Sequence, residues 1–284
     1  MSDRTTNDGD DFTSRYFRKG LGLRQEVRGD VDNEYHSDLV YEFKENDHTL
    51  AVGETTFRLA KEFGFCYGVE RSVDYAYETL RRFPDRRIVL TGEIIHNPRV
   101  NARLRALGIR FYGDDDVPDA SAITEDDVVI LPAFGVDTTE FDALRKTGAV
   151  VVDTTCGSVL NVWKNVERYA KDGLTSLMHG KVGHEETSAT VSRVGLHDGG
   201  HYVVVLDMGE AEQVAQYIEH GGDRDAFLRA FPEPATSPGF DPDVHLARIG
   251  VANQTTMLSS ESLAIARRIG EALDARYGDG KDTA

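Results

Sequence analysis

Two cysteines, Cys66 and Cys156, are the residues of this chain best suited to nucleophilic, redox or metal chemistry. Each follows a mostly apolar stretch, precedes a segment with helical periodicity and has glycine neighbours. A cysteine at the start of a helix is favoured as the thiolate, the form that binds metal or attacks carbon. Free cysteines are also among the most buried residues, so two small core residues remain the alternative interpretation.

Two histidines and a glutamate form a second group of candidates. His96 stands in Glu93-Ile-Ile-His-Asn-Pro, whose Asn-Pro pair signals a helix start. It is therefore either a capping or turn residue or an imidazole that binds phosphate. His184 and Glu186 stand in His179-Gly-Lys-Val-Gly-His-Glu-Glu-Thr, between a predicted strand and a predicted helix. They could move protons together, although a glutamate in a first helical turn also complements the helix dipole.

Two threonines, Thr255 and Thr256, follow a predicted strand near the end of the chain. Threonines in such a place either cap the next turn or donate a hydrogen bond to a ligand hydroxyl. The sequence contains neither a P-loop nor the glycine pattern of a dinucleotide-binding fold, so nothing in it indicates bound ATP or NAD.

The segments that position these residues alternate between strand-like and helical patterns, which predicts an α/β fold with mainly parallel sheets. In such sheets ligands bind outside the carboxyl ends of the strands. The predicted strands cover 87–90, 127–131, 149–152, 174–178, 202–206 and 248–252. The predicted helices cover 69–83, 99–107, 138–146, 158–171, 210–218 and 260–276.

The remaining segments carry weaker patterns. Residues 1–54 read as a polar N-terminal extension with a short helix over 38–45. Residues 221–242 are dense in proline, which predicts an irregular insertion that lies outside the core. We therefore expect a first α/β domain over 55–156, followed over 157–284 by a second one and the start of an incomplete third.

Composition excludes several classes of protein. The chain has 284 residues and a net charge of −17, which disfavours binding to nucleic acid or to an anionic membrane surface. Two cysteines cannot form a disulfide-rich scaffold or a four-cysteine zinc site. The sequence shows neither a signal peptide nor an apolar run of membrane-spanning length, so we expect a cytoplasmic protein.

Six ordered motifs between about residues 16 and 277 resemble the 4-hydroxy-3-methylbut-2-enyl diphosphate reductase family, in particular its cyanobacterial and plastid branch. The motifs are Phe65-Cys-Tyr-Gly-Val-Glu-Arg, Glu93-Ile-Ile-His-Asn-Pro, Leu131-Pro-Ala-Phe-Gly, Asp153-Thr-Thr-Cys, His179-Gly-Lys-Val-Gly-His-Glu-Glu-Thr and Ala252-Asn-Gln-Thr-Thr-Met.

The resemblance implies an enzyme of the methylerythritol phosphate route to isoprenoids. Such enzymes remove the allylic hydroxyl of their diphosphate substrate with two electrons, giving isopentenyl and dimethylallyl diphosphate. The electrons come from a donor such as ferredoxin or flavodoxin. The implied fold is a trefoil of three α/β domains around a central [4Fe-4S] cluster.

The resemblance also implies a role for each candidate. Cys66 and Cys156 match two of the three cluster ligands, and Glu186 matches the acid that protonates the leaving hydroxyl. The residues matching substrate contacts are His96, His184, Thr255 and Thr256.

The chain departs from the family pattern in two places. Many bacterial members have a histidine where this chain has Phe134. The family also continues past the Thr-Thr-Met motif to a third cysteine and a diphosphate loop, whereas this chain ends at Ala284. We therefore expect the third domain to be largely missing and the cluster to lack one ligand.

The sequence is compatible with two functions. The first is the reductase, in a truncated form. The second is a degenerate, cluster-free homologue that binds a diphosphate or a partner without catalysis. A cysteine–histidine hydrolase would need a nucleophile and a base in contact, and no motif here establishes such a contact.

Overall fold

The computed structural model describes residues 8–278, which belong to two compact units. Of the described residues, unit 1 comprises 8–133 and 147–154, and unit 2 comprises 134–146 and 155–278. Both units are α/β, with parallel sheets whose strands are separated by helices, as the sequence pattern predicts. The domain limits at residues 54 and 156 stay a prediction.

Unit 1 contains a five-stranded parallel sheet in the order β1-β7-β6-β4-β5. Its inner strands are runs of valine, isoleucine and leucine, since a parallel sheet is covered on both faces. A separate antiparallel hairpin, β2–β3, is largely exposed. The strands are β1 Tyr16–Phe17, β2 Thr49–Val52, β3 Thr55–Arg58, β4 Ile88–Leu90, β5 Arg110–Phe111, β6 Val128–Leu131 and β7 Val150–Asp153.

Five α-helices belong to the described part of unit 1, and α4 shows why they pack where they do. Its residues Val73, Ala76 and Tyr77 recur at helical spacing, and all three are buried in the core of the unit. The helices are α1 Asp8–Arg15, α2 Arg24–Tyr35, α3 Asp38–Glu45, α4 Tyr67–Arg82 and α5 Pro98–Ala106, and a 3₁₀ turn covers Ala120–Ala122.

Unit 2 contains a three-stranded parallel sheet in the order β10-β8-β9. The strands are β8 Thr175–His179, β9 Tyr202–Val205 and β10 Ile249–Asn253. The helices are α6 Thr138–Thr147, α7 Gly157–Lys171, α8 Glu185–Val194, α9 Met208–His220, α10 Arg224–Ala230, α11 Pro242–His245 and α12 Ser259–Tyr277. The predicted strands and helices are confirmed with ends that shift by one or two residues.

The register between β8 and β10 brings two chemically important segments to one edge. His179 and Asn253, the last residues of these strands, are partners in the sheet. The segment that leads to Glu186 and the segment that contains Thr255 therefore leave the sheet side by side, at the carboxyl ends of two parallel strands. This is where the sequence pattern predicts ligand chemistry.

The prediction that residues 221–242 form an excursion outside the core is wrong. The segment contains α10, and Phe227, Phe231 and Phe240 are buried in the core of unit 2. Thr236 also forms an isolated bridge with Val203 of β9. Prolines and glycines interrupt regular structure here, but they do not prevent aromatic side chains from packing.

The polar N-terminal segment is more ordered than its composition suggests. The helix predicted over 38–45 is confirmed as α3. Four further elements of this segment were not predicted: α1, β2, β1, which pairs with β7, and α2, which buries Val27 in the core of unit 1. A strand of two residues is too short to show an alternating pattern, and a helix with a single buried residue shows no repeating apolar face. Among the described residues, no helix is both long and apolar enough to span a bilayer.

Candidate functional site

Glu186 lies in the first turn of α8, with no part of its side chain exposed. Its carboxylate accepts two hydrogen bonds from Thr255. The backbone N–H of Thr255 donates to Oε1 at 2.5 Å, and the Thr255 hydroxyl donates to Oε2 at 2.9 Å. Thr255 is itself exposed, so its hydroxyl lies between the buried carboxyl and the solvent.

The surroundings of Glu186 favour a protonated carboxyl. Burial raises the pKa of Glu186 above its ordinary value, and the two hydrogen bonds from Thr255 lower it only in part. A carboxyl that keeps its proton to higher pH is suited to act as a general acid. When Glu186 is protonated, its Oε2–H can donate to the Thr255 hydroxyl, which reverses the direction of that bond.

His184 is the N-cap residue of α8. Its Nδ1 accepts a hydrogen bond from the backbone N–H of Glu186 at 3.1 Å, and only 14% of its side chain is exposed. The ring packs edge-on against Phe134, with 5.4 Å between ring centroids. Because Nδ1 accepts, the neutral ring carries its proton on Nε2, which makes that nitrogen a hydrogen-bond donor.

Thr255 and Thr256 do not cap the helix that follows them, so the capping interpretation is wrong. The N-cap position of α12 belongs to Leu258, three residues after Thr255. Instead, Thr255 donates to Glu186, and Thr256 accepts a hydrogen bond at 2.6 Å from the side-chain amide of Gln254. Gln254 was not among the residues selected from the sequence. A polar residue directly after a buried strand was the signal that could have found it.

Cys66 and Cys156 occupy matching positions, as predicted, at the N-caps of α4 and α7. Both are free thiols, Cys66 exposed and Cys156 half-buried. Cys156 packs beside a small apolar cluster that includes Val159 and Trp163. A free thiol at a helix N-terminus is a ligand suited to iron, since iron–sulfur clusters are held by thiolates.

His96 is exposed and lies just before α5, whose N-cap is Asn97. Its Nδ1 is 3.1 Å from Glu93 Oε2, so the histidine is partnered by a carboxylate within its own loop. Since Asn97 accepts the capping hydrogen bonds from Arg99 and Val100, His96 is not needed as a cap.

The candidates are distributed over both units. Unit 2 brings Glu186, His184 and Thr255 into direct contact and places Thr256 beside them through Gln254. Cys156 belongs to the same unit, whereas Cys66 and His96 belong to unit 1. Each unit therefore carries one of the two free thiols.

The family model described as LytB protein matches residues 57–283, which include every candidate residue named above. The chain belongs to the LytB protein family. A 4-hydroxy-3-methylbut-2-enyl diphosphate reductase of Gloeobacter violaceus is 49% identical to it over 271 residues. The reductase of the same name from Synechococcus sp. strain RCC307 is 50% identical over 267 residues. Each alignment covers 94% of this LytB-family chain but only 64% of the relative, so the chain spans less than two thirds of these relatives.

Two solved structures share the fold of this LytB-family chain. One is an (E)-4-hydroxy-3-methyl-but-2-enyl diphosphate reductase, described as the terminal enzyme of the non-mevalonate pathway. It is 26% identical, with a TM-score of 0.56, and the match covers 75% of this chain and 63% of that one. The second, from Plasmodium falciparum, is 19% identical with the same TM-score and covers 74% and 55% of the two chains.

Proposed function

We propose that this chain carries the catalytic acid of a cytoplasmic reductase that acts on (E)-4-hydroxy-3-methylbut-2-enyl diphosphate. The reaction consumes two electrons and two protons, breaks the allylic C–O bond, and releases water with isopentenyl or dimethylallyl diphosphate. The observation that carries this proposal is the fully buried Glu186, hydrogen-bonded to the exposed Thr255. Hydroxide is a poor leaving group, so a positioned proton donor is needed.

The proton path follows from these contacts. Glu186 holds the proton on Oε2, next to the Thr255 hydroxyl at 2.9 Å. Thr255 passes its own proton to the departing substrate hydroxyl and receives one from Glu186. His184 keeps α8 capped, and its Nε2–H provides a donor for a diphosphate oxygen. His96 and the Thr256 hydroxyl supply further polar groups for the same substrate.

Cys66 and Cys156 are the residues that would hold a [4Fe-4S] cluster. Their free thiols and their positions at helix N-termini fit that role. When bound, the cluster supplies the electrons that break the C–O bond. The sequence provides two thiol ligands, and a small carrier such as ferredoxin or flavodoxin is the proposed electron donor.

The decisive experiment is Glu186→Gln, which removes the proton but retains the shape of the side chain. We expect turnover to fall by about 10²–10⁴-fold, as is usual when a general acid is lost. The iron and sulfide content after anaerobic purification should stay unchanged. In the unsubstituted protein, turnover should fall as the pH rises through the raised pKa of Glu186, because only the protonated acid can donate.

Glu185→Gln is the matched control, since Glu185 lies in the same helical turn with 60% of its side chain exposed. It should retain turnover. If Glu186→Gln were as active as Glu185→Gln, the proton-donor role would be excluded. A colourless, iron-free and inactive protein would instead favour the alternative of a cluster-free homologue that binds a diphosphate without catalysis.

A further inference from the structure

The side-chain amide of Gln254, a residue only 2% exposed, makes three hydrogen bonds, two to other segments of unit 2 and one within its own segment. Its Oε1 accepts from the backbone N–H of Lys181 at 3.1 Å and from the Thr187 hydroxyl at 3.2 Å. Its Nε2 donates to the Thr256 hydroxyl at 2.6 Å. This one amide therefore connects the loop after β8, the helix α8 and the threonine segment after β10.

These connections surround the pair formed by Glu186 and Thr255. Glu186 precedes Thr187 in α8, and Thr255 lies between Gln254 and Thr256. Each member of the pair is therefore a chain neighbour of a group that Gln254 holds. The backbone of Gln254 is itself fixed to β8, because its N–H donates to the carbonyl of His179 at 2.9 Å.

Gly180 shows how closely this region is packed. A Cβ at position 180 would lie 2.8 Å from the Thr187 hydroxyl and 3.1 Å from the Cβ of Gln254. Real side chains avoid such distances, so the glycine leaves room for the Gln254–Thr187 contact. A buried amide whose oxygen and nitrogen are both hydrogen-bonded is costly to disturb, because the groups that lose a partner have no water to bind instead.

We propose that Gln254 is a positioning residue that aligns Thr255 with the carboxyl of Glu186. It does so by holding Thr256 on one side and by fixing α8 through Thr187 on the other. The catalytic meaning of this alignment rests on the reductase function proposed above. The alignment itself is a property of the chain and can be measured without turnover.

The test measures hydrogen exchange at the backbone N–H of Thr255, which donates to Glu186 and not to Gln254. Gln254→Met keeps the length of the side chain and removes the amide. We expect exchange at Thr255 to become about tenfold faster, the size of effect that the loss of one hydrogen bond produces. Exchange in β10 should change by less than about twofold, since its bonds to β8 are left in place.

Three further variants locate the effect. Thr256→Val and Thr187→Val each remove one partner of the Gln254 amide, and each should accelerate exchange at Thr255 by less than Gln254→Met does. Gln216→Met is the matched control, because Gln216 makes an exposed side-chain hydrogen bond to Glu212 on α9. It should leave the exchange at Thr255 unchanged.

Unchanged exchange at Thr255 in Gln254→Met would overturn the proposal. Equal acceleration throughout unit 2 would also overturn it, since that result means a general loss of stability. Turnover separates this proposal from the reductase function: Gln254→Met should lower kcat with little change in KM. If the unsubstituted protein were inactive while exchange at Thr255 still depended on Gln254, the reductase function would fail and the positioning role would stand.

Discussion

Burial raises the pKa of two carboxyl groups in unit 2, those of Glu186 and Glu140, but their partners differ. Glu186 has both oxygens hydrogen-bonded to Thr255. Glu140, in the first turn of α6, has a buried Oε1 without a hydrogen-bond partner among the described residues. Burial and the nearby Asp137 raise the pKa of Glu140 to about 7. The hydrogen bonds from Thr255 therefore offset part of the cost of charging Glu186, whereas among the described residues no hydrogen bond offsets that cost at Oε1 of Glu140.

Glu140→Gln should stabilise the protein at pH 8. Because the pKa of Glu140 rises from 4.5 to about 7 on folding, the folded state binds a proton that the unfolded state has lost. Stability therefore falls as the pH rises between those values. Glutamine mimics the neutral acid, so we expect a gain of about 1–2 kcal/mol at pH 8 that shrinks at pH 6. Urea unfolding of both proteins at the two pH values measures it.

Glu271→Gln on α12 is the control, because Glu271 is exposed and the substitution makes the same change of charge. It should change the free energy of unfolding by less than about 0.5 kcal/mol at either pH. A gain in Glu140→Gln that did not vary with pH would contradict the assignment of the effect to the charge on Glu140.

At the scale of elements, the contact between β10 and α7 depends on a residue without a side chain. Gly250 of β10 lies against the ring of Tyr169 on α7, and a Cβ at position 250 would be 2.4–2.6 Å from three ring atoms. The Tyr169 hydroxyl donates to the carbonyl of Val251 at 3.2 Å, which holds the ring in that place. The helix therefore packs on the strand at the position where the strand has no side chain.

Gly250→Ala should destabilise unit 2 by about 3 kcal/mol, because the added methyl group overpacks a closed interface. In the background of Tyr169→Ala the same substitution should cost less than about 1 kcal/mol, since the ring is gone. Chemical denaturation of the four proteins of this cycle measures both values. Gly270→Ala is the control: nothing lies within 4 Å of its added methyl group, so alanine should be neutral or stabilising in α12. Equal costs of Gly250→Ala in both backgrounds would exclude the clash with Tyr169.

The elements that the sequence predicted share a strong periodic signal. Runs of β-branched residues mark β6, β7 and β9, and a repeating apolar face marks α4. The elements that it missed lack such a signal. β1 has two residues, and β2 and β3 are mostly exposed, so they show no buried face.

The candidate site likewise has residues that the sequence could identify and a contact that it could not. Glu186 and Thr255 were selected because chemically suited residues follow predicted strands, and the structure places them in contact. The link through Gln254 had no local signature. Its partners Lys181 and Thr187 lie 73 and 67 residues away along the chain. Such a link depends on the register of β8 against β10, which periodicity alone does not specify.

The net charge of the whole molecule, −17, predicts how its stability responds to salt. A compact chain with this excess of carboxylates repels itself, and added salt screens the repulsion. Salt also weakens attractive pairs at the surface, such as those of Arg28 with Asp32 and of Arg224 with Asp225. Exposed pairs contribute only about 0–1 kcal/mol each, so we expect relief of the repulsion to dominate.

Raising NaCl to about 0.3 M, where the Debye length falls to roughly 6 Å, should therefore raise Tm by a few degrees at pH 8. The rise should be smaller at pH 6, closer to the sequence pI of 4.9, because the net charge is then less negative. Glu62→Lys together with Asp115→Lys, both at exposed positions, reduces the excess charge and should reduce the rise at pH 8. A Tm that fell with salt at pH 8 would mean that attractive pairs, rather than net repulsion, control the stability of the folded chain.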